Sequence, residues 1–212
     1  YSSEDGYFHA EKKELHGTDI LFEKNSHTGT ETILLASVLA PGATTISNAA
    51  AEPEIDDLIQ LLNQMGAKIE RTAPREIKVM GVEKLFGTEF TISSDRNEFI
   101  TFAILSGLSG GDIHIQNGNF EDIREFLSAF KKAGGDWVEE SEGVRFFLGE
   151  KINPVDIVTN IHPGFMTDWQ GPWAVLLTQA QGISTIHETV YENRFAYVEE
   201  LKKMGCKIEF FK

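Results

Sequence analysis

The chain has 212 residues, of which 41% are hydrophobic, and its 19 basic and 33 acidic residues give a formal net charge of −14. That charge repels nucleic acid and anionic membranes, so we expect neither as a partner, while the apolar content suffices for one large or two small cores. The sequence has no apolar run near the ~20 residues that span a bilayer and no charged-then-apolar leader, which predicts a cytoplasmic location.

The chain contains one cysteine, Cys206, and six histidines. A single cysteine excludes an intrachain disulfide and a cysteine-cluster metal site, and the histidines show no HExxH or similar pair. We therefore predict no metal and no cofactor. The surrounding sequence MGCKIEFF is typical of a helix end that runs into a strand, which favours a packed structural thiol.

The first predicted unit starts with the strand DILFE and the apolar helix ETILLASVLA. Gly42 then opens a second strand in GATTISN, and the amphipathic helix IDDLIQLLNQMG follows it. Gly66 ends this helix as a left-handed C-terminal cap, and the short strand AKIER closes the unit.

The same order of elements recurs twice, with starting glycines Gly42, Gly111 and Gly182 about 70 residues apart. The second copy reads TEFTIS, EFITFAILSGL, GDIHIQN, EDIREFLSAFKKAG and GDWVEE; the third reads VDIVTN, the apolar run after Asp168, GISTIHE, RFAYVEELKKMG and CKIEFF. Because this period exceeds that of common solenoids, we predict an α/β fold of strand, helix, strand, helix and closing strands in triplicate, rather than a superhelical array.

The first helix of each unit opens at a polar residue, Ser26, Asp95 or Asp168, in a loop after a strand. Helix starts of this kind favour anions. The alternative is that all three residues cap their helices and bind no ligand.

A polar cluster follows the third unit's strand, predicted from Ser184 to Val190, and consists of Glu188, Glu192, Asn193 and Arg194. Such a cluster is placed where α/β folds carry sites. In the structural alternative, Asp168 is a helix N-cap and Glu192 pairs with Arg194 at the surface.

Six motifs, in this order, carry a resemblance to a known family: NAAAEPEIDDLIQLLNQMGAKI, GVEKLFGTEF, SSDRNE, HPGFMTDWQ, ETVYENRF and KKMG. They resemble the UDP-N-acetylglucosamine 1-carboxyvinyltransferases, enolpyruvyl transferases of peptidoglycan synthesis. The related enzymes that make enolpyruvylshikimate phosphate share the architecture. The resemblance implies two inside-out α/β domains, each of three βαβαββ repeats, with the ligand in a cleft between them.

By this resemblance, residues 1–93 are the end of the first domain, with one repeat, and residues 94–212 are part of the second, with two repeats. The family moves enolpyruvyl from phosphoenolpyruvate to the 3'-hydroxyl of UDP-N-acetylglucosamine. Asp168 corresponds to the aspartate of the T-D-x-Q motif that accepts the hydroxyl proton. Asp95 and Arg96 match a pair at the crossover between domains. We expect a structural role for this pair first and a cleft-lining role second.

The resemblance also implies the substrate-binding residues. Lys24, Asn25, Ser26 and His27 match the uridine-nucleotide loop, although His27 and Thr28 stand where the family has a hydrophobic residue and glycine. Val190 matches a backbone contact to the sugar nucleotide. Arg194 matches the arginine that lines the phosphate end of the cleft.

The family's proton-donating loop cysteine would precede Tyr1, and Cys206 cannot replace it. We therefore expect this stretch to be the middle half of such an enzyme and inactive alone, with the missing half as its partner and with possible self-association through uncovered helix faces. Two alternatives remain: a catalytically dead sugar-nucleotide-binding or scaffold module, and a 3-phosphoshikimate 1-carboxyvinyltransferase.

Overall fold

The computed structural model describes residues 2–4, 6–9, 11–149 and 151–211. The chain divides into two compact units, residues 1–93 and 94–212. Each unit combines helices with sheets, so the predicted α/β class is confirmed. Within the described ranges, no helix combines the length and the apolar character needed to cross a membrane.

The first unit has one complete copy of the predicted repeat. Its elements are β1 (Ser2–Glu4), β2 (Tyr7–His9), β3 (Asp19–Leu21), α1 (His27–Ser37), β4 (Ala43–Ser47), α2 (Pro53–Gln64), β5 (Lys68–Ala73) and β6 (Glu76–Met80). β1 and β2 form an antiparallel pair. The main sheet has the order β3-β4-β6-β5, in which β3 and β4 are parallel and the other pairs antiparallel.

Alternation and helical spacing explain why these residues form these elements. Ile46 on β4 and Ile77 on β6 point to one face of the sheet and are fully buried, and the α2 residue Ile55 is buried with them. Pro53 occupies the first turn of α2, where its missing N–H costs nothing. The sheet and the two helices therefore share one core.

The second unit contains the other two predicted repeats. Its elements are α3 (Arg96–Ser109), β7 (Asp112–Gln116), a 3-10 turn (Glu121–Ile123), α4 (Arg124–Lys132), β8 (Gly135–Glu140), β9 (Gly143–Leu148), β10 (Ile157–Val158), a second 3-10 turn (Thr167–Trp169), α5 (Gln170–Leu177), β11 (Ile186–His187) and α6 (Ala196–Lys203). β7, β9 and β8 form an antiparallel sheet in that order, and β10 pairs with β11 in parallel.

Aromatic side chains dominate the core of the second unit. Phe126 of α4 contacts Trp169 and Trp173 edge to face, with ring centroids 6.2 and 5.9 Å apart. Phe165 contacts the same two tryptophans, at 5.5 and 5.6 Å. The core therefore anchors both flanks of Asp168, because Phe165 and Trp169 lie on either side of it in the chain.

The predicted glycine caps are confirmed. Gly66, Gly134 and Gly205 have φ of +100°, +99° and +95°, a conformation that glycine adopts without steric cost. They follow α2, α4 and α6, the amphipathic helix of each repeat.

Two predicted strands are not formed, and the predicted strand of residues 184–190 is reduced to Ile186–His187. In residues 88–93, Ile92 is 78% exposed, and the N–H of Ser93 donates to the Asp57 carboxylate (2.9 Å) instead of to a neighbouring strand. In residues 206–211, the described chain provides no strand alongside as a backbone partner. Cys206 is a free, half-buried thiol after α6 and not the first residue of a strand.

The predicted triplicate is therefore complete in one copy and partial in two. Residues 19–80 contain the whole repeat, residues 96–148 lack the first strand, and residues 157–203 have the first parallel strand pair without the closing hairpin.

Candidate active site

Asp168 lies in the 3-10 turn that leads into α5. The prediction that Asp168 is the N-cap of this helix is wrong. The side chain makes no capping hydrogen bond, and the residues that flank α5 and the turn at their N-terminal ends are Trp169 and Met166. The turn directs Trp169 into the core, where it is 1% exposed, while the Asp168 side chain stays 44% exposed. The carboxylate is thus available for chemistry.

Arg194 pairs with Asp168 and not, as the structural alternative had it, with Glu192. Its Nη2 donates to Asp168 Oδ1, and its Nη1 donates to the hydroxyl oxygen of Thr167 (3.4 Å). The guanidinium side chain is 39% exposed. The structure therefore joins two residues that the sequence predicts as site residues and that stand 26 positions apart.

Glu188 connects these residues to Val190; the sequence placed it in the polar cluster after the third unit's strand but gave it no specific role. Its Oε2 accepts hydrogen bonds from the hydroxyl of Thr167 (2.8 Å) and from the side-chain amide of Gln170. Its Oε1 accepts from the backbone N–H groups of Val190 (2.7 Å) and Tyr191 (2.9 Å). One carboxylate thus holds the segment of Asp168 and the segment of Val190 together.

The surroundings of Glu188 favour its ionised form. Partial burial acts to raise the pKa of Glu188, but the N–H donors of Tyr191 and Val190 and the hydroxyl of Thr167 outweigh it and lower the pKa. Glu188 is therefore a carboxylate at neutral pH, with both oxygens acting as acceptors.

Tyr197 completes this group of side chains from α6. Its hydroxyl donates to Gln170 Oε1 (2.8 Å). Burial raises the pKa of Tyr197 to about 12, the negative charge of Glu188 adds to the rise, and Arg194 opposes it. Tyr197 therefore stays a neutral donor and fixes the orientation of the Gln170 amide.

Asp95 and Arg96 make local contacts at the start of α3. Asp95 caps α3 by accepting from the N–H groups of Asn97 (2.7 Å) and Glu98 (3.3 Å). Arg96 is 7% exposed, and its Nη1 lies 3.0 Å from Nδ1 of His162. Because His162 belongs to the loop that leads to Asp168, the start of α3 supports that loop.

The predicted nucleotide loop, residues 24–27, belongs to the unit of residues 1–93. Ser26 caps α1 by accepting from the N–H of Gly29 (3.1 Å), and Asn25 donates to the carbonyl of Asn48 (3.0 Å). Lys24 is exposed. His27 begins α1, and its Nε2 is shielded from solvent with no hydrogen-bond partner in the described chain.

The described residues contain no group of three or more histidine, cysteine, aspartate or glutamate side chains that could hold a metal ion. What the second unit presents is instead the carboxylate of Asp168 before α5, the arginine that pairs with it, and the half-buried carboxylate of Glu188. This set can accept a proton and bind an anion, as group-transfer chemistry requires.

Comparison with known proteins identifies the class. The chain matches the family described as EPSP synthase (3-phosphoshikimate 1-carboxyvinyltransferase) over residues 1–212. It is similar to the enolpyruvyl transferase NikO from Streptomyces tendae, with a TM-score of 0.72 and 24% identity, covering 82% of this chain and 42% of that one. It is also similar to an EPSP synthase from Acinetobacter baumannii, with a TM-score of 0.58 and 20% identity, covering 91% of this chain and 46% of that one.

The chain belongs to this enolpyruvyl transferase family, as its motifs predicted. Among its relatives is the UDP-N-acetylglucosamine 1-carboxyvinyltransferase of Desulfatibacillum aliphaticivorans, 40% identical over 96% of this chain and 49% of the relative. The enzyme of that name from Afipia carboxidovorans is 42% identical over 92% of this chain and 46% of the relative. The chain thus spans about half the length of the curated relatives it matches.

Proposed function

We propose that this chain carries part of the active site of an enzyme that transfers enolpyruvyl from phosphoenolpyruvate to the 3'-hydroxyl of UDP-N-acetylglucosamine. The relatives at about 40% identity bear the name of that reaction. The reaction would serve peptidoglycan synthesis in the cytoplasm, and through it cell-wall biogenesis and cell division.

The observation that carries this proposal is the contact between Asp168 and Arg194. In the reaction, a general acid protonates the methylene carbon of phosphoenolpyruvate, and the sugar oxygen bonds to the adjacent carbon while the hydroxyl proton passes to Asp168. Loss of inorganic phosphate and of a methyl proton from this adduct then restores the double bond of the enolpyruvyl group. Arg194 pairs with one oxygen of Asp168. When a substrate phosphate takes up the guanidinium, that oxygen becomes free to accept the proton.

Within the first unit, the residues Lys24 to His27 would contact the nucleotide. Within the second unit, the backbone of Val190 would contact the sugar nucleotide. The Ser26 hydroxyl and the Asn25 amide already have backbone partners. Lys24 and the unsatisfied Nε2 of His27 are therefore the groups we assign to the nucleotide. Asp95 and Arg96 would support the loop that leads to Asp168 from the start of α3.

A second acceptor, shikimate 3-phosphate, is favoured by the description of the matched family. Phosphate release from phosphoenolpyruvate, measured with each acceptor on the complete polypeptide in which this sequence occurs, separates the candidates. We expect release with UDP-N-acetylglucosamine. Release with shikimate 3-phosphate alone would move the assignment to the second acceptor, and tight sugar-nucleotide binding without release would identify a catalytically dead binding module.

Asp168→Asn tests the proton acceptor. Asparagine keeps the size and one acceptor oxygen for Arg194, but it cannot take the hydroxyl proton. Turnover should fall on the order of 100-fold or more. Thermal stability should change little, because an exposed ion pair contributes about 0–1 kcal/mol.

Asp136→Asn is the matched control for this variant. Asp136 pairs with Lys131 (2.6 Å) at similar side-chain exposure, 47%. This control should keep wild-type turnover. If Asp168→Asn lost stability and kept its turnover, Asp168 would be a structural residue and not the proton acceptor.

A further inference from the structure

The three repeats share a register position at the end of their second strand. It is the sixth residue after each starting glycine: Asn48, Asn117 and Glu188. Asn48 and Asn117 follow β4 and β7 directly and have φ of 55° and 60°, the left-handed conformation that asparagine tolerates. Glu188 follows β11 directly.

In the first two repeats, the carbonyl at this position binds the loop that opens the first helix. The side chain of Asn25 donates to the carbonyl of Asn48 (3.0 Å), and the hydroxyl of Ser94 donates to the carbonyl of Asn117. Asn25 and Ser94 each stand one residue before the cap of their helix. The second strand of the repeat is thereby bonded to the start of its first helix.

In the third repeat, a carboxylate takes over this role from the carbonyl. Thr167 stands one residue before Asp168, as Asn25 and Ser94 stand before their caps, and its hydroxyl donates to Glu188 Oε2 (2.8 Å). The longer side chain also reaches Gln170, two residues after Asp168. Its other oxygen accepts from the N–H groups of Val190 and Tyr191 (2.7 and 2.9 Å).

A carboxylate in place of a carbonyl connects more groups than the corresponding bonds of the first two repeats do. Two of the four donors flank Asp168 in the chain, and one is the N–H of Val190 itself. Thr167 also accepts from Arg194 Nη1 (3.4 Å), so the partner of Asp168 is connected to the same carboxylate. Hydrogen bonds to a charged acceptor are stronger than those to a neutral carbonyl.

We propose that Glu188 is a positioning residue that fixes Asp168 relative to the backbone of Val190, and so sets the distance between proton acceptor and sugar nucleotide. The inference rests on the proposed function for the roles of those two residues. Glu188 has no contact with the reacting atoms in this scheme; it acts through Thr167, Gln170 and two backbone amides.

Glu188→Ala and Glu188→Gln test the proposal on the complete polypeptide. Alanine removes all four bonds, whereas glutamine keeps one oxygen for the two backbone N–H groups. Val144→Ala is the stability control, because Val144 is buried in β9 at 1% exposure and its truncation lowers the melting temperature without changing this network. Glu199→Gln, on the exposed side of α6, controls for the loss of charge.

Two readouts are needed. In the absence of ligand, hydrogen exchange of the Val190 and Tyr191 amides should accelerate about ten-fold or more in Glu188→Ala, remain near wild type in Glu188→Gln, and stay unchanged in Val144→Ala. In turnover, both Glu188 variants should lower kcat on the order of ten-fold and raise the KM for UDP-N-acetylglucosamine, with the KM for phosphoenolpyruvate unchanged. Glu199→Gln should match the wild type.

Unchanged amide exchange in Glu188→Ala would overturn the proposal, as would an equal fall in kcat in Val144→Ala at the same melting temperature. Wild-type protein that shows no transfer to UDP-N-acetylglucosamine would defeat the proposed function instead. The amide exchange would then still decide whether Glu188 holds the two segments together.

Discussion

Tyr197 illustrates how a charged residue affects a neutral neighbour in this site. Its pKa is raised to about 12 by burial and by the charge of Glu188, whereas an ordinary tyrosine titrates near 10. A folded-state pKa above the unfolded one means that the contribution of Tyr197 to stability is fully present below about pH 10 and is lost as the pH rises towards 12.

Tyr197→Phe should therefore flatten the alkaline loss of stability. At pH 8 the variant should lose about 1 kcal/mol, because the hydrogen bond to Gln170 is gone. Between pH 9 and 11 its free energy of unfolding, measured in urea, should fall less steeply than that of the wild type. Tyr191→Phe is the control, since the Tyr191 side chain is 65% exposed. Parallel curves for the wild type and Tyr197→Phe would contradict the assignment.

The site itself was predictable from the sequence only in part. The motifs pointed to Asp168, Val190 and Arg194, but the contact between Asp168 and Arg194 was not predicted; the structural alternative paired Arg194 with Glu192, its near neighbour in the chain. A contact across 26 residues depends on how the turn before α5 and the loop after β11 fold against each other. The position of Glu188 was predictable from its register with Asn48 and Asn117. Its hydrogen bonds were not, because two of its four donors are backbone N–H groups, which every residue type except proline carries.

At the scale of elements, the three glycine caps share a backbone conformation but have different surroundings. A Cβ added at Gly205 would meet no atom within 4 Å, whereas one at Gly134 would lie 3.0 Å from the carbonyl oxygen of Lys151 and 3.4 Å from the side-chain nitrogen of Asn153. Both glycines have φ above +90°. The pair therefore separates backbone strain from steric contact.

Gly205→Ala should cost about 1–2 kcal/mol through backbone strain alone. Gly134→Ala should cost about 1 kcal/mol more, because a backbone carbonyl yields less readily than a flexible side chain. Urea unfolding of both variants measures the two costs. Equal losses would show that the loop after residue 149 adjusts without penalty.

Helices and their ends were easier to predict than strands. Apolar spacing and a terminal glycine are local signals, and α2, α4 and α6 end where those signals indicated. Residues 88–93 have the alternation of a strand but remain outside the sheets, because a strand also requires a neighbour with free backbone groups. That requirement is non-local, and the same reason accounts for residues 206–211.

At the scale of the whole molecule, two helices present apolar residues to solvent. Leu35 and Leu39 of α1 are 56% and 53% exposed, and Phe102, Leu105 and Leu108 of α3 are 46%, 44% and 38% exposed. In each helix these residues are spaced three or four apart and form a stripe. The chain spans about half the length of the curated relatives it matches.

The 212-residue chain alone should therefore self-associate through these stripes, as the sequence suggested. Sedimentation velocity should show a weight-average mass that rises with concentration. Leu35→Lys together with Leu105→Lys should suppress the rise, whereas Thr32→Lys, an exposed polar position on α1, should have a smaller effect. A monomer at all concentrations would contradict this expectation.

The backbone at residues 48, 117 and 188 has a consequence for how the repeats can diverge. Asn48 and Asn117 adopt left-handed dihedrals, so few amino acids other than asparagine, aspartate and glycine fit there without strain. Glu188 is not among the residues with positive φ, so its position accepts most side chains at no conformational cost. A change of side chain at residue 188 therefore adds no backbone strain to the third repeat, whereas most substitutions at residues 48 and 117 would strain the first two.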